Sequence, residues 1–422
     1  MSRKGRFFQF IFGKKWGMRV FIFFSVLGPG MITAVVDNDA SGVASYSVAG
    51  ARFGYSLLWI LFVSTFSLAV VQEMAARLGI ITGKGLSDLI RENYGVKIAF
   101  FAMIVHVLTC WGTSVSEIAG IAVSMELLGV SRYLSIPIVG FLLWLFIVKG
   151  NYKTAERVFL SLTVFYFSYV ISAYLVNPDW NDVIKSTFIP RFRFEFDYVY
   201  LAIAIIGTTI TPWMQYYLQA AVVDKGIRVE QIRYEKWEVY IGAFVTDFFA
   251  FFIIVATGAT LFMSGIQINS ADEAALALKP LAGKYCFLLF ALGFLNASLL
   301  GAIILPLASA YAVSEFFGWE SGLNKKIEEA PHFYYIFTAI LVLSMIVVLI
   351  PGFSLIKVMV FSQVINGILL PVILIIMLKL INNKKLMGNM RNNIAQNTVA
   401  WTTVVVLILL TALMFILPVF KY

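Results

Sequence analysis

The stretch GPGMITAVVDNDASG, residues 28–42, decides what kind of chain this is. It lies inside an apolar run of about 20–50, long enough to cross a bilayer, which takes roughly 20 apolar residues. Yet it carries Asp37, Asn38 and Asp39 near its middle. A carboxylate at that depth costs at least ~2.5 kcal/mol even on the insertion scale, so two of them do not face lipid. They face a hydrated cavity, a partner cation or a transported one. No Lys or Arg lies at that depth in the span, and Arg52 stands beyond it, near the outer end. Gly28, Pro29, Gly30 and Gly42 around the acids are expected to make local unwinding cheap, and unwinding frees backbone carbonyls as further oxygen ligands.

The rest of the chain agrees with a membrane setting. Of its 422 residues 60% are hydrophobic and only 13% charged, and the mean hydropathy is +0.88. That is too much apolar surface for one aqueous core. Apolar runs recur at about 20–50, 54–80, 97–127, 133–150, 155–176, 198–224, 237–264, 284–314, 333–350, 354–381 and 398–420, which gives an all-α integral membrane protein of about eleven transmembrane helices. Residues 1–19 read as a retained basic cytoplasmic arm with no cleavage site after it, and 20–422 as one transport domain. Lys and Arg then crowd one set of loops, which places the N-terminus in the cytoplasm, the C-terminus outside and the protein in the cell (inner) membrane. The net charge of +9 is explained by this topology, so no nucleic-acid partner is expected. Cys110 and Cys286 fit neither a disulfide framework nor a metal knuckle. A monomer in the lipid bilayer is expected.

The sixth span repeats the pattern of the first. GTTITPWMQYYLQAAVVDKG, residues 207–226, meets polar and helix-breaking residues at mid-membrane, five spans after the first break. Interrupted helices at matching places in two halves point to a transport site between inverted repeats. Pro212 removes a backbone donor and frees the carbonyl of Thr208, while Thr208, Thr209, Thr211 and Gln215 add side-chain oxygens. Glu117, in WGTSVSEIAG of the third span, is a third buried acid, and such acids mark ion or proton routes. Gln363 and Asn366, in FSQVINGILLP of the tenth span, share one helix face. Asp247, Asn296 and His106 read as packing or hydrogen-bonded structure. No Ser/His/Asp grouping, zinc-ligand spacing or phosphate-cradling loop is present, so an enzyme is not expected, and neither is a cofactor.

At these residues the sequence resembles the natural resistance-associated macrophage protein (Nramp) family of divalent-metal transporters. The most specific pieces are LGPGMITAVVDND, VAGARFGYSLLW, MAARLGIITGKGL, SEIAGIAV, ITPWMQYYLQ and FSQVINGILLP. The resemblance implies a LeuT-like fold, with inverted repeats of spans 1–5 and 6–10, broken helices 1 and 6, and the ion bound at the breaks. The family's Asp-Pro-Gly-Asn motif falls on Asp39, Ala40, Ser41 and Gly42, and its Met-Pro-His on Thr211, Pro212 and Trp213. The aspartate ligand is kept as Asp39, but the asparagine becomes Gly42, the thioether a hydroxyl, and the proton-linked histidine is gone. Glu117 matches the family's glutamate with Ser114 in place of its aspartate, and Gln363 matches the glutamine of span 10.

Sulfur favours softer transition metals, whereas oxygens suit hard ions. The pattern therefore resembles the magnesium-transporting branch of the family, described as uncoupled from protons. The implied site is Asp39, the Thr208 carbonyl, Thr211 and Gln363, with Asp37, Asn38, Gln215 and Glu117 around it. Loss of the Asn and Met side chains is expected to widen the pocket for partly hydrated Mg²⁺, with Mn²⁺ still accepted. Two alternatives stay open: proton-coupled Mn²⁺/Fe²⁺ uptake with Glu117 or His106 as relay, and an amino-acid carrier of the same fold.

Overall fold

The computed structural model describes residues 29–149, 163–323, 325–352 and 354–421. The basic arm, the start of the first span and the first part of the fifth lie outside the described residues.

Every described span is helical, because a chain in hydrocarbon must satisfy its backbone polar groups internally. The first span is two helices, α1 (Pro29–Asp37) and α2 (Ala40–Phe53). After it come α3 (Leu58–Thr82), α4 (Leu86–Leu127) and α5 (Arg132–Lys149). The fifth span is seen from a 3₁₀ turn, Thr163–Tyr166, into α6 (Phe167–Val176), and α7 (Trp180–Phe188) is a short amphipathic connector. The sixth span is again divided, into α8 (Phe196–Thr209) and α9 (Pro212–Asp224). The remaining spans are α10 (Ile232–Thr257), α11 (Cys286–Phe317), α12 (Pro331–Val348), α13 (Leu355–Ile381) and α14 (Ile394–Ile416). Eight of the described helical stretches are long and apolar enough to cross a membrane unbroken. The first, fifth and sixth spans complete the expected eleven.

Several boundaries differ from the hydropathy pattern, two of them for a visible reason. The third span starts near residue 86 rather than 97, with a break at Gly95 (φ 81°) that separates an amphipathic entry from the apolar shaft. The last helix starts at Ile394 instead of 398, since Asn393 and Gln396 form a capping box that charge and hydropathy do not register.

Polarity is turned inside out relative to a protein in water. On α4, Phe100, Phe101, Ile104 and Leu108 are exposed, while Thr109, Thr113, Ser114 and Glu117 are buried. The apolar stripe faces lipid and the polar stripe faces the bundle. α4 packs along α11, α8 along α13, and α10 along α3. α10 also touches both halves of the first span, and α13 touches α2. The two breaks therefore lie side by side in the middle of the bundle.

The α8–α13 seam is a contact of backbone on backbone. A Cβ on Gly207 would collide with the Gln363 carbonyl and stand 2.9 Å from the Gly367 Cα. Gly367 likewise lies against the Ile203 carbonyl, where a Cβ would sit at 2.6 Å. Small residues let membrane helices approach backbone to backbone, and here the approach fixes the carbonyl end of α8 against the helix that carries Gln363.

Candidate functional site

The first break is only two residues wide. α1 ends at Asp37, Asn38 is non-helical, and Asp39 (φ −67°, ψ 178°) is the N-cap of α2. An aspartate is a favoured N-cap because its carboxylate accepts the orphan amides of the new first turn. Asp39 Oδ1 accepts from the Gly42 N–H at 2.6 Å and from the Ser41 hydroxyl at 2.7 Å. The Ser41 hydroxyl in turn accepts from Gln363 Nε2, and Asn366 Nδ2 donates to Gln363 Oε1 at 2.8 Å. Asn366, Gln363, Ser41 and Asp39 thus form one directed chain that ends on the carboxylate. Asn366 also donates to Thr113 Oγ1 at 2.9 Å, tying the chain to the third span.

Glu117 is placed differently from an ion ligand in this conformation. Its Oε2 accepts from the Ala40 N–H at 3.1 Å, and its Oε1 lies 3.3 Å from the Ser41 N–H and 3.2 Å from the Ser41 hydroxyl. It occupies the positive end of α2, where a carboxylate is stabilised by free amides and the helix dipole. The glutamate braces the restart of the broken helix.

Asp37 and Asn38 turn to the opposite side. The Thr246 hydroxyl donates to Asp37 Oδ2 at 3.2 Å and accepts from Asn38 Nδ2 at 2.8 Å, and the Thr246 carbonyl accepts from the same amide at 2.9 Å. The Tyr166 hydroxyl donates to the Asn38 carbonyl.

The second break falls at Ile210 and Thr211. Thr211 (φ −70°, ψ 144°) is the N-cap of α9 and Pro212 its first residue, where proline's missing N–H costs nothing. Thr211 makes no side-chain cap bond, and its hydroxyl and that of Thr208 are both buried without a partner. With no N–H on Pro212, the Thr208 carbonyl has no helical donor. Gln215, with its nitrogen as donor, reaches back to the carbonyls of Thr211 at 2.5 Å and Pro212 at 3.1 Å. Carbonyl ends of half-helices and unwound backbone are the groups with which broken membrane helices hold cations.

Two sequence expectations change. Gly30 and Gly42 are helical, so they are not the residues that unwind. Gly42 serves close approach: a Cβ there would meet the Asp37 carbonyl at 2.8 Å and Thr208 Oγ1 at 3.1 Å. The missing asparagine therefore does not leave a widened pocket in this conformation, because the first break folds its own carbonyl over the space. His106 makes packing contacts. It stacks on Tyr216 at 3.9 Å and pairs with the Ala308 carbonyl at 3.3 Å, well removed in its bonding from Glu117.

Residues that hydropathy and motif did not single out complete the site: Ser41 in the chain to Asp39, Thr246 and Tyr166 around Asn38, and Tyr46, whose hydroxyl lies 2.9 Å from Thr209 Oγ1. Of these only Thr246 had a local signal, as half of a polar pair in the apolar run FVTDFF.

A cavity of about 560 Å³ is lined by Val48, Arg52, Asp197, Tyr200, Lys357 and Val360 among others. On α13 its lining reaches Phe361, two residues before Gln363. An Arg52–Asp197 ion pair joins the far ends of α2 and α8 at its rim. On the opposite side the Thr33 hydroxyl donates to Gln72 Oε1 at 3.0 Å, and Gln219 Nε2 to the Lys84 carbonyl at 2.9 Å. There Arg77 joins Glu73 at 3.0 Å and the Met390 carbonyl at 2.7 Å. Among the described residues, no three His, Cys, Asp or Glu side chains converge closely enough to chelate a metal.

Comparison with known proteins gives a consistent answer. The chain is 28% identical over 398 residues to the divalent metal cation transporter MntH of Erwinia tasmaniensis, covering 92% of this chain and 93% of that one. The structure superposes on a manganese transporter of Eremococcus coleocola with a TM-score of 0.76 at 21% identity, covering 92% of this chain and 85% of the other. It also matches MhsT, solved in complex with L-phenylalanine, with a TM-score of 0.61 at 12% identity over 92% of this chain and 98% of that one. These likenesses give the LeuT-type fold that the family resemblance implied. The family described as natural resistance-associated macrophage protein-like matches residues 30–417. This multi-pass membrane protein, two of whose spans break beside each other around Asp39 and Thr211, belongs to the Nramp-like family, a family of transporters rather than enzymes.

Proposed function

We propose that the protein carries divalent metal ions across the membrane by alternating access, with Mg²⁺ as a main substrate, Mn²⁺ also accepted, and no proton coupling. The observation that carries this reading is the chemistry of the two breaks. Asp39, the Thr208 carbonyl and hydroxyl, Thr211 and Gln363 offer oxygens, and neither break contributes sulfur. Oxygen donors suit hard ions. Mg²⁺ dehydrates reluctantly and keeps several waters, which agrees with a site poor in direct carboxylate ligands. Asp37, Asn38, Gln215 and Glu117 surround the ion or position its ligands.

Manganese is the reading that the relatives favour, since the similar proteins are named for divalent metal and manganese transport. Mn²⁺ accepts the same oxygen ligands, so the two substrates are compatible with one site.

Uptake needs no proton. With the arm at 1–19 in the cytoplasm, two charges entering across ~100 mV gain roughly 4.6 kcal/mol. That supports about a thousandfold accumulation, at ~1.4 kcal/mol per tenfold. The missing histidine after Pro212 and the brace position of Glu117 both speak against a relay. Proteoliposomes loaded with a pH dye and a Mg²⁺ indicator test this. Mg²⁺ influx should occur at constant internal pH and vanish in Asp39→Ala. Influx that acidifies the lumen supports the proton-coupled manganese alternative, and Mn²⁺ influx without Mg²⁺ influx removes the magnesium reading.

A further inference from the structure

Asp247 follows Thr246 on α10, and both of its carboxylate oxygens are buried; the Thr65 hydroxyl stands beside it but donates to the Leu61 carbonyl, and neither Asp247 oxygen makes a hydrogen bond. Its neighbour Thr246 is the residue that ties Asp37 and Asn38 to α10. Asp247 and Asp39 are the acidic neighbours of Asp37. All three carboxylates lie around the Tyr46 hydroxyl, which pairs with Thr209 at the second break. The Asp37 carbonyl and the Thr208 hydroxyl meet over Gly42, so Asp37 borders the proposed ion site. Four oxygens on this side of the first break, Asp37 Oδ1, Asn38 Oδ1 and both of Asp247, are buried acceptors that make no hydrogen bond. Among the described residues no ion pair reaches either aspartate.

Buried acceptors are normally satisfied, and each orphan calls for an explanation. Two or more waters bound to one dication explain all four, since each has two hydrogens to donate. Their lone pairs point at the metal, so they present only hydrogens outward. A wall of acceptors with no donor is the complement of such a shell, and two carboxylates match the ion's charge. We infer that Asp247, Asp37 and Asn38 form this wall, and that Asp247 is a specificity-determining residue which holds the water shell of the transported cation. The inference rests on the reading of the two breaks as a divalent-cation site.

Asp247→Asn replaces an acceptor by an amide donor that opposes the water hydrogens, at nearly constant shape. Mg²⁺ and Mn²⁺ uptake are measured in proteoliposomes for the wild type, Asp247→Asn, Asp37→Asn and Asp39→Ala. Monodispersity and melting of each protein are recorded alongside. The expected result is a KM for Mg²⁺ raised roughly tenfold in Asp247→Asn, about one charge-assisted hydrogen bond. The KM for Mn²⁺, which gives up its waters more readily, should rise less, and the maximal rates should change little. Asp37→Asn, which approaches the same wall from the first span, should shift selectivity in the same direction and serves if Asp247→Asn does not fold. Unchanged KM values overturn the inference, as does an equal loss of both metals. A shift confined to the pH profile also overturns it, by making the pair a proton carrier. Should Asp39→Ala transport normally, the underlying ion site is wrong instead.

Discussion

Glu117 and Ala40 belong to different spans, yet the carboxylate of the first accepts the backbone N–H of the second at 3.1 Å. The bond makes the third span part of the first break, because the amides exposed when α2 restarts find their anion there. Replacing Glu117 by Gln keeps an acceptor but removes the charge at the helix end, worth about 0.3–1 kcal/mol. Replacing it by Ala leaves two buried amides unpaired, at a cost of about 1–3 kcal/mol each. Melting of the purified variants should therefore fall slightly for Gln and steeply for Ala, with Mg²⁺ uptake at constant internal pH retained in Gln.

At Gly42 the asparagine common to the family does not fit this backbone. Its Cβ would press on the Asp37 carbonyl, and overpacking of this kind costs about 1–3 kcal/mol. Both Gly42→Ala and Gly42→Asn are expected to lower the melting temperature and the uptake rate. Restored or improved Mn²⁺ transport in Gly42→Asn with unchanged melting contradicts the close approach seen here.

Thr211→Met tests the chemistry of the second break. The Thr211 hydroxyl is buried without a partner, so its removal breaks no bond, and the thioether adds a soft donor. Competition of Cd²⁺ against Mn²⁺ uptake should strengthen, while Mg²⁺ uptake declines. Equal inhibition by Cd²⁺ in wild type and variant removes Thr211 from the ion's surroundings.

The Arg52–Asp197 pair at the cavity rim is exposed to 42% and 45%, so its net stability contribution is no more than about 1 kcal/mol. Its effect is expected in access instead. Arg52→Ala should leave melting nearly unchanged and speed alkylation of a cysteine placed at Val48 by a water-soluble maleimide. Alkylation at the wild-type rate shows that the pair does not restrain the rim.

Both breaks were legible in the sequence, because Asp37 to Asp39 and Pro212 are physically out of place in apolar runs, whatever surrounds them. The tertiary partners were not. Thr246 and Asp247 lie some 200 residues from Asp37 and look like ordinary polar glue in FVTDFF. Gly42 read as a weak point of the helix, since a glycine looks the same in sequence whether it bends a backbone or lets another backbone come close. Glu117 announced itself as a buried acid, but only the fold gave it the α2 amides rather than an open cavity.

The seam between Gly207 and Gly367 sets the mechanics of any rocking motion. With no side chain between them, α8 and α13 have no slack to tilt apart and no ridge to ratchet over, so they slide or turn as one caliper jaw. Under the alternating access proposed above, the span between the Thr208 carbonyl and Gln363 would keep one gauge, and opening would fall to α1 and α9 swinging against that jaw. A single methyl group at residue 207 would jam it.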